Sequence, residues 1–375
     1  MGHAYTPGLK VSAAAEWTRR RLLPIKGEVL VQAGALVEPG TVVARALLPG
    51  NVVTVHLARQ LGVSAGDLPE LLLVQEGAAV AKDQPVARSK GLFGMMKQTA
   101  GAPTAGVLEA VSKVSGQALF REAPIPVEVR AYVAGTVAAV IEGYGVEVHS
   151  RGTMVQGIFG IGPEAAGPVV LLTDDPGRPV SPGDLKPEHR GAVLVGGSLA
   201  ELPALRRAIE VGAAALVVGG IDAGDLKGLL GYDLGVAITG SETVGLTVVV
   251  TEGFGRLAMS ARTFRLLGAA QGKVASVSGA TQIRAGVMRP ELLVPGSIAQ
   301  VERTAVDTGM LAPGSAVRII RDPHFGALGK VVALPPEPAA LDTEAAVRIL
   351  TVALAAGGGE VTLPRANVEL VDERA

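Results

Sequence analysis

The residues of this sequence that could bind a ligand are small and polar ones that follow short hydrophobic segments. Gly196, Gly197 and Ser198 follow one such segment and precede a predicted helix. At a strand-to-helix turn of this kind, backbone N–H groups point outward at the helix N-terminus and can hold an anion. The other candidates at equivalent positions are Gly219, Gly220, Asp222, Thr239, Ser241 and Glu252. The pattern indicates a site for a small anion, although short turns also need glycine for backbone geometry alone.

Patterns for catalysis and metal binding do not emerge from the sequence. The chain has no cysteine, which excludes disulfides, thiolate metal sites and iron–sulfur clusters. Its five histidines are scattered without an HExxH pattern, and neither Ser198 nor Ser241 lies in a G-x-S-x-G motif. The glycine clusters match neither the dinucleotide fingerprint nor the phosphate loop. We therefore predict no catalytic residue, metal or cofactor, which favours a binding protein over an enzyme and leaves the choice open.

Charge and hydropathy narrow the class of protein further. The formal net charge is -1 and charged residues make up 18 % of the chain, so a protein that coats nucleic acid is not indicated. The N-terminal 26 residues lack the apolar core of a secretion signal. The longest apolar run, Val211 to Ile221, is about half the roughly 20 residues that a membrane-spanning helix needs. These features predict a cytoplasmic protein with no membrane insertion.

An internal repeat organises the N-terminal part of the chain. Eight residues recur 43 positions later: Val31, Gln32, Gly34, Ala35, Val37, Val43, Ala44 and Arg45 return as Val74, Gln75, Gly77, Ala78, Val80, Val86, Ala87 and Arg88. Each copy predicts a curled hairpin with turns at its glycines. Two further hairpins, closed by Gly116 and Gly145, follow at a spacing of 29. The region is predicted to be nearly all β, with one helical stretch from Val53 to Leu61.

This β region resembles the barrel-sandwich hybrid fold of biotinyl and lipoyl domains. The resemblance rests on Leu23-Pro24-Ile25, the Gly-x-x-Val turns and the segment from Ala102 to Val107, and it covers about residues 20–150. The resemblance is greater to the form of this fold that occurs in a subunit of Rnf and sodium-pumping NADH:quinone reductase complexes. In biotinyl domains a modified lysine lies between methionines, which directs attention to Met95-Met96-Lys97. Gln98 replaces the second methionine, and Lys97 lies nine residues before Gly106, about two short of the spacing that the resemblance implies. An unmodified loop lysine is therefore predicted.

From about Pro168 the pattern alternates between strands and helices. Predicted helices span Leu202 to Val211, Ala223 to Leu230 and Leu257 to Ala270, and predicted strands span Val169 to Thr173, Ala192 to Val195, Ala214 to Val218, Val236 to Thr239, Leu246 to Thr251 and Lys273 to Val277. Short strands that are apolar at nearly every position are typical of a sheet covered on both faces. This indicates an α/β domain with a parallel or mixed sheet. The glycine-rich segment 157–162 is interpreted as the crossover into it.

The C-terminal region resembles the KOW motif of NusG-type transcription factors and of a ribosomal large-subunit protein. The resemblance rests on the segment from Pro313 to Val332, in which an aromatic turn and Gly329 separate two strands. It covers about residues 308–373 and implies a small SH3-like barrel that binds RNA or proteins of the transcription and translation machinery. The interaction candidates are Arg318, Arg321, His324, Phe325 and Lys330. Because nearby acidic residues offset the cations and Phe325 is the one aromatic available, a protein partner is favoured over RNA.

The sequence thus predicts a multidomain β and α/β protein. Its predicted segments are an N-terminal extension (1–22), tandem barrel-sandwich hairpins (23–165), a central α/β domain (166–300) and a KOW-like barrel (301–375). The functional hypothesis is a non-catalytic binding or scaffold protein. The alternative is an enzyme or a sensor of nucleotides or phosphorylated metabolites, with its site at the glycine-rich strand ends.

Overall fold

The computed structural model describes residues 9–90, 97–232, 242, 244–281, 288–296, 311–319, 324, 327–340, 346–355 and 359–370. The predicted candidates Thr239, Ser241, Arg321 and Phe325 lie outside these ranges, as do Met95 and Met96. The described part of the chain is rich in β-strands, which form several sheets around separate hydrophobic cores. The predicted β-rich fold class is therefore confirmed.

Among its described residues, the N-terminal region contains strands and one short helix. In chain order they are β1 (Val11–Leu22), β2 (Glu28–Val29), β3 (Leu36–Val37), β4 (Val42–Leu48), β5 (Val52–Val55), α1 (Leu57–Leu61), β6 (Ala79–Val80), β7 (Pro85–Arg88), β8 (Thr99–Gly101), β9 (Gly106–Val111), β10 (Ala118–Arg121), β11 (Ile125–Arg130), β12 (Gly135–Ile141) and β13 (Gly145–Gln156). A single 3₁₀ turn, Leu68–Leu71, follows α1.

These strands form two units with the same arrangement, one inserted in the other. The outer unit contains the strand order β1-β13-β12-β3 and a second sheet ordered β11-β4-β2. The inner unit repeats this with β5-β10-β9-β6 and the pair β7-β8. The inner unit occupies the chain between β4 and β11 of the outer unit. Consequently the first halves of the two units are related by the 43-residue spacing and the second halves by the 29-residue spacing.

Matching hydrogen bonds confirm the repeat at the level of single atoms. The N–H of Gly34 donates to the carbonyl of Val137 over 2.8 Å, and the N–H of Gly77 donates to the carbonyl of Leu108 over 2.7 Å. The two glycines have φ angles of 84° and 85°. Such angles are strained for residues with a side chain, which is why both copies keep glycine here.

Two features of this region differ from prediction. β1 does not form a separate extension, because it pairs with β13 from Val11↔Val155 to Leu22↔Gly145. The predicted helix from Val53 to Leu61 is helical only from Leu57, since Val52–Val55 forms β5 and pairs with β10. Its β-branched residues favour a strand, and the neighbouring strand satisfies their backbone groups.

The α/β region contains β14 (Phe159–Ile161), β15 (Ala165–Leu171), β16 (Val193–Val195), α2 (Leu202–Val211), β17 (Ala215–Ile221), α3 (Ala223–Leu230), β18 (Thr247–Phe254), α4 (Ala261–Gly268), β19 (Val274–Ser278) and β20 (Glu291–Pro295). Two 3₁₀ turns, Pro182–Asp184 and Pro187–His189, lie between β15 and β16. Strands β15 to β18 are parallel neighbours in sequence order. Side chains of α2 and α3 pack on one face of the sheet and those of α4 on the other.

The sheet is mixed, as antiparallel strands flank its parallel centre. β14 pairs antiparallel with β18, so the segment interpreted as a crossover contains a buried strand. On the other side β19 and β20 pair antiparallel, and β20 also pairs with β13. The outer unit and the α/β region therefore share one continuous sheet.

The C-terminal region forms a curled sheet of short strands. They are β21 (Ala316–Ile319), β22 (Leu328–Ala333), β23 (Pro338–Ala340), β24 (Ala346–Leu354), β25 (Glu360–Pro364) and β26 (Val368–Leu370), with a 3₁₀ turn at Arg365–Asn367. β21 and β22 form a hairpin, and β26 pairs with the opposite edge of β21. Val317, Ile319, Leu350 and Val352 lie in its core.

The close packing around Gly135 predicts that a side chain at this position would destabilise the protein. A Cβ atom on Gly135 would lie 2.3 Å from the carbonyl oxygen of His149. The Gly135→Ala variant should therefore lose about 2–3 kcal/mol of unfolding free energy, as expected for a forced backbone shift in a packed sheet. Urea denaturation measures this loss. Gly66→Ala is the control, since its nearest neighbour would be Ser64 Oγ at 3.8 Å. Equal stability of the two variants would contradict the close contact.

Candidate functional site

The structure brings three of the predicted ligand-binding residues to one edge of the parallel sheet. Ser198 follows β16, Asp222 follows β17 and Glu252 lies near the end of β18. Since these strands are parallel, their carboxyl ends share an edge, where ligands of α/β proteins usually bind.

The polar groups of these residues are already engaged within the chain. The Ser198 hydroxyl donates to the carbonyl of Gly177 over 2.7 Å, and the residue is 1 % exposed. Asp222 is the N-cap of α3, and its carboxylate accepts from the N–H of Gly224 over 2.7 Å. Both residues therefore have structural roles within the chain, and these roles explain why polar side chains are present at these positions.

The glycines at this edge allow neighbouring segments of the chain to approach closely. A Cβ atom on Gly197 would lie 2.1 Å from the carbonyl oxygen of Arg178, and one on Gly220 would lie 1.9 Å from that of Gly255. Gly219 is crowded in the same way by the carbonyl oxygen of Leu257, whereas Gly196 is crowded by the side chain of Val180. The chain's own loops thus lie over the predicted anion site. The close approach of neighbouring segments is enough to explain why these positions are glycine.

Glu252, the third residue of this edge, belongs to a buried ionic network with the C-terminal sheet. Arg318 donates to Glu252 over 2.8 Å and to Glu369 over 3.1 Å. Arg289 donates to the other Glu369 oxygen over 2.5 Å. The second Glu252 oxygen accepts from the N–H of Ser260 over 3.0 Å. We call these four charged residues the barrel clamp.

The barrel clamp revises the predicted role of Arg318. This residue is 2 % exposed and paired on both sides, so it anchors β21 and does not face a partner. Burial raises the pKa of Glu369, although Arg318 and Arg289 beside it favour its charged form. Burial likewise lowers the pKa of Arg289. Opposite charges therefore compensate one another in a site from which water is largely excluded.

The other described candidates lie at or near the surface. Lys330 is exposed on β22, and the carbonyl of His324 accepts from the N–H of Ala327 in the β21–β22 turn. Lys97 is exposed beside β8. The base of its hairpin is closed by the N–H of Ser89, which donates to the carbonyl of Gln98 over 2.9 Å. That Lys97 is an unmodified loop lysine stays a prediction.

A second polar cluster, which the sequence did not predict, joins the outer unit to the α/β region. Tyr132 has a φ of 69° and is 5 % exposed, and its hydroxyl lies 3.4 Å from a carboxylate oxygen of Glu291. Arg19 pairs with both oxygens of Glu291, and the Arg21 guanidinium lies 5.4 Å from the centre of the Tyr132 ring. A bulky residue at positive φ is costly and needs strong surrounding contacts, which this cluster supplies.

The segment 62–66 matches a motif of serine hydrolases but lacks the geometry of a catalytic site. Gly62-Val63-Ser64-Ala65-Gly66 has the G-x-S-x-G spacing, but it follows α1 and precedes a 3₁₀ turn. A nucleophile elbow requires a strand before the serine and a helix after it.

Within the described residues, no three His, Cys, Asp or Glu side chains form a group that could hold a metal ion. The same residues include no helix with the length and hydropathy needed to cross a membrane.

The barrel clamp yields a stability prediction. Arg318→Met removes the cation between two buried carboxylates, so we expect a loss of about 3–5 kcal/mol in unfolding free energy, measured by urea denaturation. Arg45→Met is the matched control. Arg45 pairs with Glu28 at the surface, where both side chains are about 60 % exposed, and loss of such a pair should cost less than about 1 kcal/mol. Similar stabilities of the two variants would show that the clamp does not stabilise the fold.

The Tyr132 cluster yields a prediction at alkaline pH. Burial and then the charges of Glu291 and Glu164 raise the pKa of Tyr132 well above its ordinary value of 10.0. Because the folded-state pKa exceeds the unfolded one, this group contributes stability below about pH 10 that is lost as the pH rises further. In a tyrosinate absorbance titration, Tyr132 should give a late component that appears only as the protein unfolds. Tyr132→Phe should remove this late component, and an unchanged late component would contradict the assignment.

The chain matches no protein-family model and no curated protein in these comparisons. The resemblances to barrel-sandwich hybrid and KOW domains therefore rest on the motifs quoted above. What those resemblances imply about function is a proposal.

Proposed function

We propose that this chain is a non-catalytic, multidomain binding protein whose C-terminal barrel contacts a protein partner through the turn between β21 and β22. The hairpin that carries this turn is closed by two backbone hydrogen bonds. The N–H of Ile319 donates to the carbonyl of Ala327 over 2.9 Å, and the N–H of Ala327 donates to the carbonyl of His324 over 3.0 Å. Phe325, the proposed anchor, belongs to this turn and lies outside the described residues.

Anchoring of β21 by the barrel clamp is the observation that carries the proposal. Arg318 directly precedes Ile319, the last residue of β21, and is held by Glu252 and Glu369. The strand that leads into the turn is therefore fixed to the α/β region at its final residues. An anchor residue that follows a fixed strand loses less conformational entropy on binding, which favours an aromatic anchor in this segment.

Charge supports a protein partner over RNA. Arg318 is one of the cationic interaction candidates, and its burial removes it from the surface that RNA could contact. The chain as a whole is nearly neutral, with a formal charge of -1. RNA affinity depends largely on cations that neutralise phosphates, so this surface suits a protein better. The resemblance to KOW domains implies a partner from the transcription or translation machinery, and with it a cytoplasmic location.

The alternative function, a sensor of nucleotides or phosphorylated metabolites at the strand ends, has less support. Ser198, Asp222 and Glu252 are the described side chains on which it depends, and each is used in a contact within the chain. The neighbouring loops also approach the glycines of that edge closely. A ligand there would have to displace several intrachain hydrogen bonds.

A pull-down with the full chain tests the proposed function. From nuclease-treated host lysate, we expect the parent protein to retain a protein partner and the Phe325→Ala variant to lose it, because truncation removes the buried anchor of the interface. Tyr232→Ala is the matched control, since Tyr232 is an exposed aromatic of the α/β region. Recovery of RNA in untreated lysate only, with equal amounts on parent and Phe325→Ala, would refute the proposal.

A further inference from the structure

A surface cleft lies where the outer unit meets the α/β region. It has a volume of about 460 Å³ and is lined by 20–22 of β1, 128–130 of β11 and Glu164. Three of its lining residues are arginines, and two are glutamates. We call it the arginine cleft. Its volume is in the range of small-molecule sites, and its charged lining favours a polar ligand.

One arginine and one glutamate of the cleft neutralise each other. Arg21 donates to both oxygens of Glu164, over 2.7 and 2.6 Å, and its Nε donates to the carbonyl of Arg130 over 2.7 Å. Two parallel hydrogen bonds of this kind fix the guanidinium plane. Arg21 and Glu164 therefore form a rigid part of the lining with no net charge.

The other two arginines retain unused donors. Arg20 lies 3.2 Å from Glu147 through its Nε, and its side chain is 64 % exposed, so this pair is weak. Among the residues that the structure describes, no carboxylate lies within ion-pair distance of Arg130. Glu128 is the remaining anion of the lining, and it faces Arg45 across the β11–β4 ladder. The cleft is thus left with an excess of positive charge.

We infer that the arginine cleft binds the phosphate group of a small molecule through Arg20 and Arg130. A phosphate monoester carries about -1.5 to -2 charges at neutral pH and has three strong acceptor oxygens. Two guanidinium groups offer planar pairs of N–H donors to those oxygens. The site is separate from the sheet edge covered by the loops and from the β21–β22 turn, so it does not depend on the proposed protein contact.

Calorimetric titration of the full chain with inorganic phosphate at constant ionic strength tests this site. We expect saturable binding, and an Arg20→Gln/Arg130→Gln double variant should weaken it at least about tenfold, because charge-assisted hydrogen bonds are lost. The control is Arg59→Gln/Arg206→Gln, which removes the same charge from exposed positions of α1 and α2. This control should bind within about twofold of the parent. Glu128→Gln should tighten binding about threefold, since it removes a repulsive charge.

Three outcomes would overturn the inference. The first is no binding by the parent protein up to about 10 mM phosphate, a concentration at which even weak specific sites fill. The second is equal weakening in the two double variants, which would indicate a general charge effect. The third is equally tight binding of succinate, a dicarboxylate, which would remove the assignment to phosphate. Thermal denaturation without ligand verifies that each variant is folded.

Discussion

Backbone pairing along β13 is the constraint on which the rest of the structure depends. This strand spans 12 residues and pairs with β1 over its length, with β12 at its start and with β20 at its end. A strand that satisfies its hydrogen bonds with three partners cannot shift register without breaking all of them. The outer unit and the α/β region are therefore parts of one sheet, and the polar cluster around Tyr132 is located where they meet.

Buried charge joins the third region to this framework. A charged side chain taken out of water is tolerated when opposite charges and hydrogen bonds surround it. Arg318 meets the charge part of that condition only if Glu252 of the α/β region and Glu369 of the C-terminal sheet are both in place, while its buried Nε makes no hydrogen bond among the described residues. The clamp thus specifies one position of the C-terminal sheet, because any other position would leave these groups unpaired. Specificity of placement is its main contribution, since such networks often add little net stability.

Sequence patterns predicted the local elements well where one physical signal dominated. The apolar periodicity of 202–211 and 223–230 located α2 and α3 with the same bounds as the structure. The glycine turns of the repeat were also evident, because positive φ restricts residue choice. The segment 53–61 was ambiguous, since its first residues form a helix or a strand according to whether a neighbouring strand is available.

Contacts between residues far apart in the chain could not be predicted from the sequence. Glu252 and Arg318 were assigned to separate sites, and nothing in their local context indicates that they meet, since 66 residues separate them. Tyr132 gave no signal either, because its positive φ follows from packing against Glu291 and Arg21. The glycines at the strand ends were ambiguous in principle, as a turn that binds an anion and a turn that admits a backbone use the same residue.

The insertion of one unit inside the other has a consequence for the order of synthesis. The inner unit is nearly contiguous in the chain, so it can collapse on its own core as soon as β10 leaves the ribosome. The outer unit must hold β4 with only the short strand β2 beside it until β11 arrives, and the pairing of β13 with β20 waits for well over a hundred further residues. Long-range pairing of this kind folds slowly. The nascent chain therefore exposes the apolar residues of β4, such as Val43 and Ala44, throughout the time in which the inner unit is made.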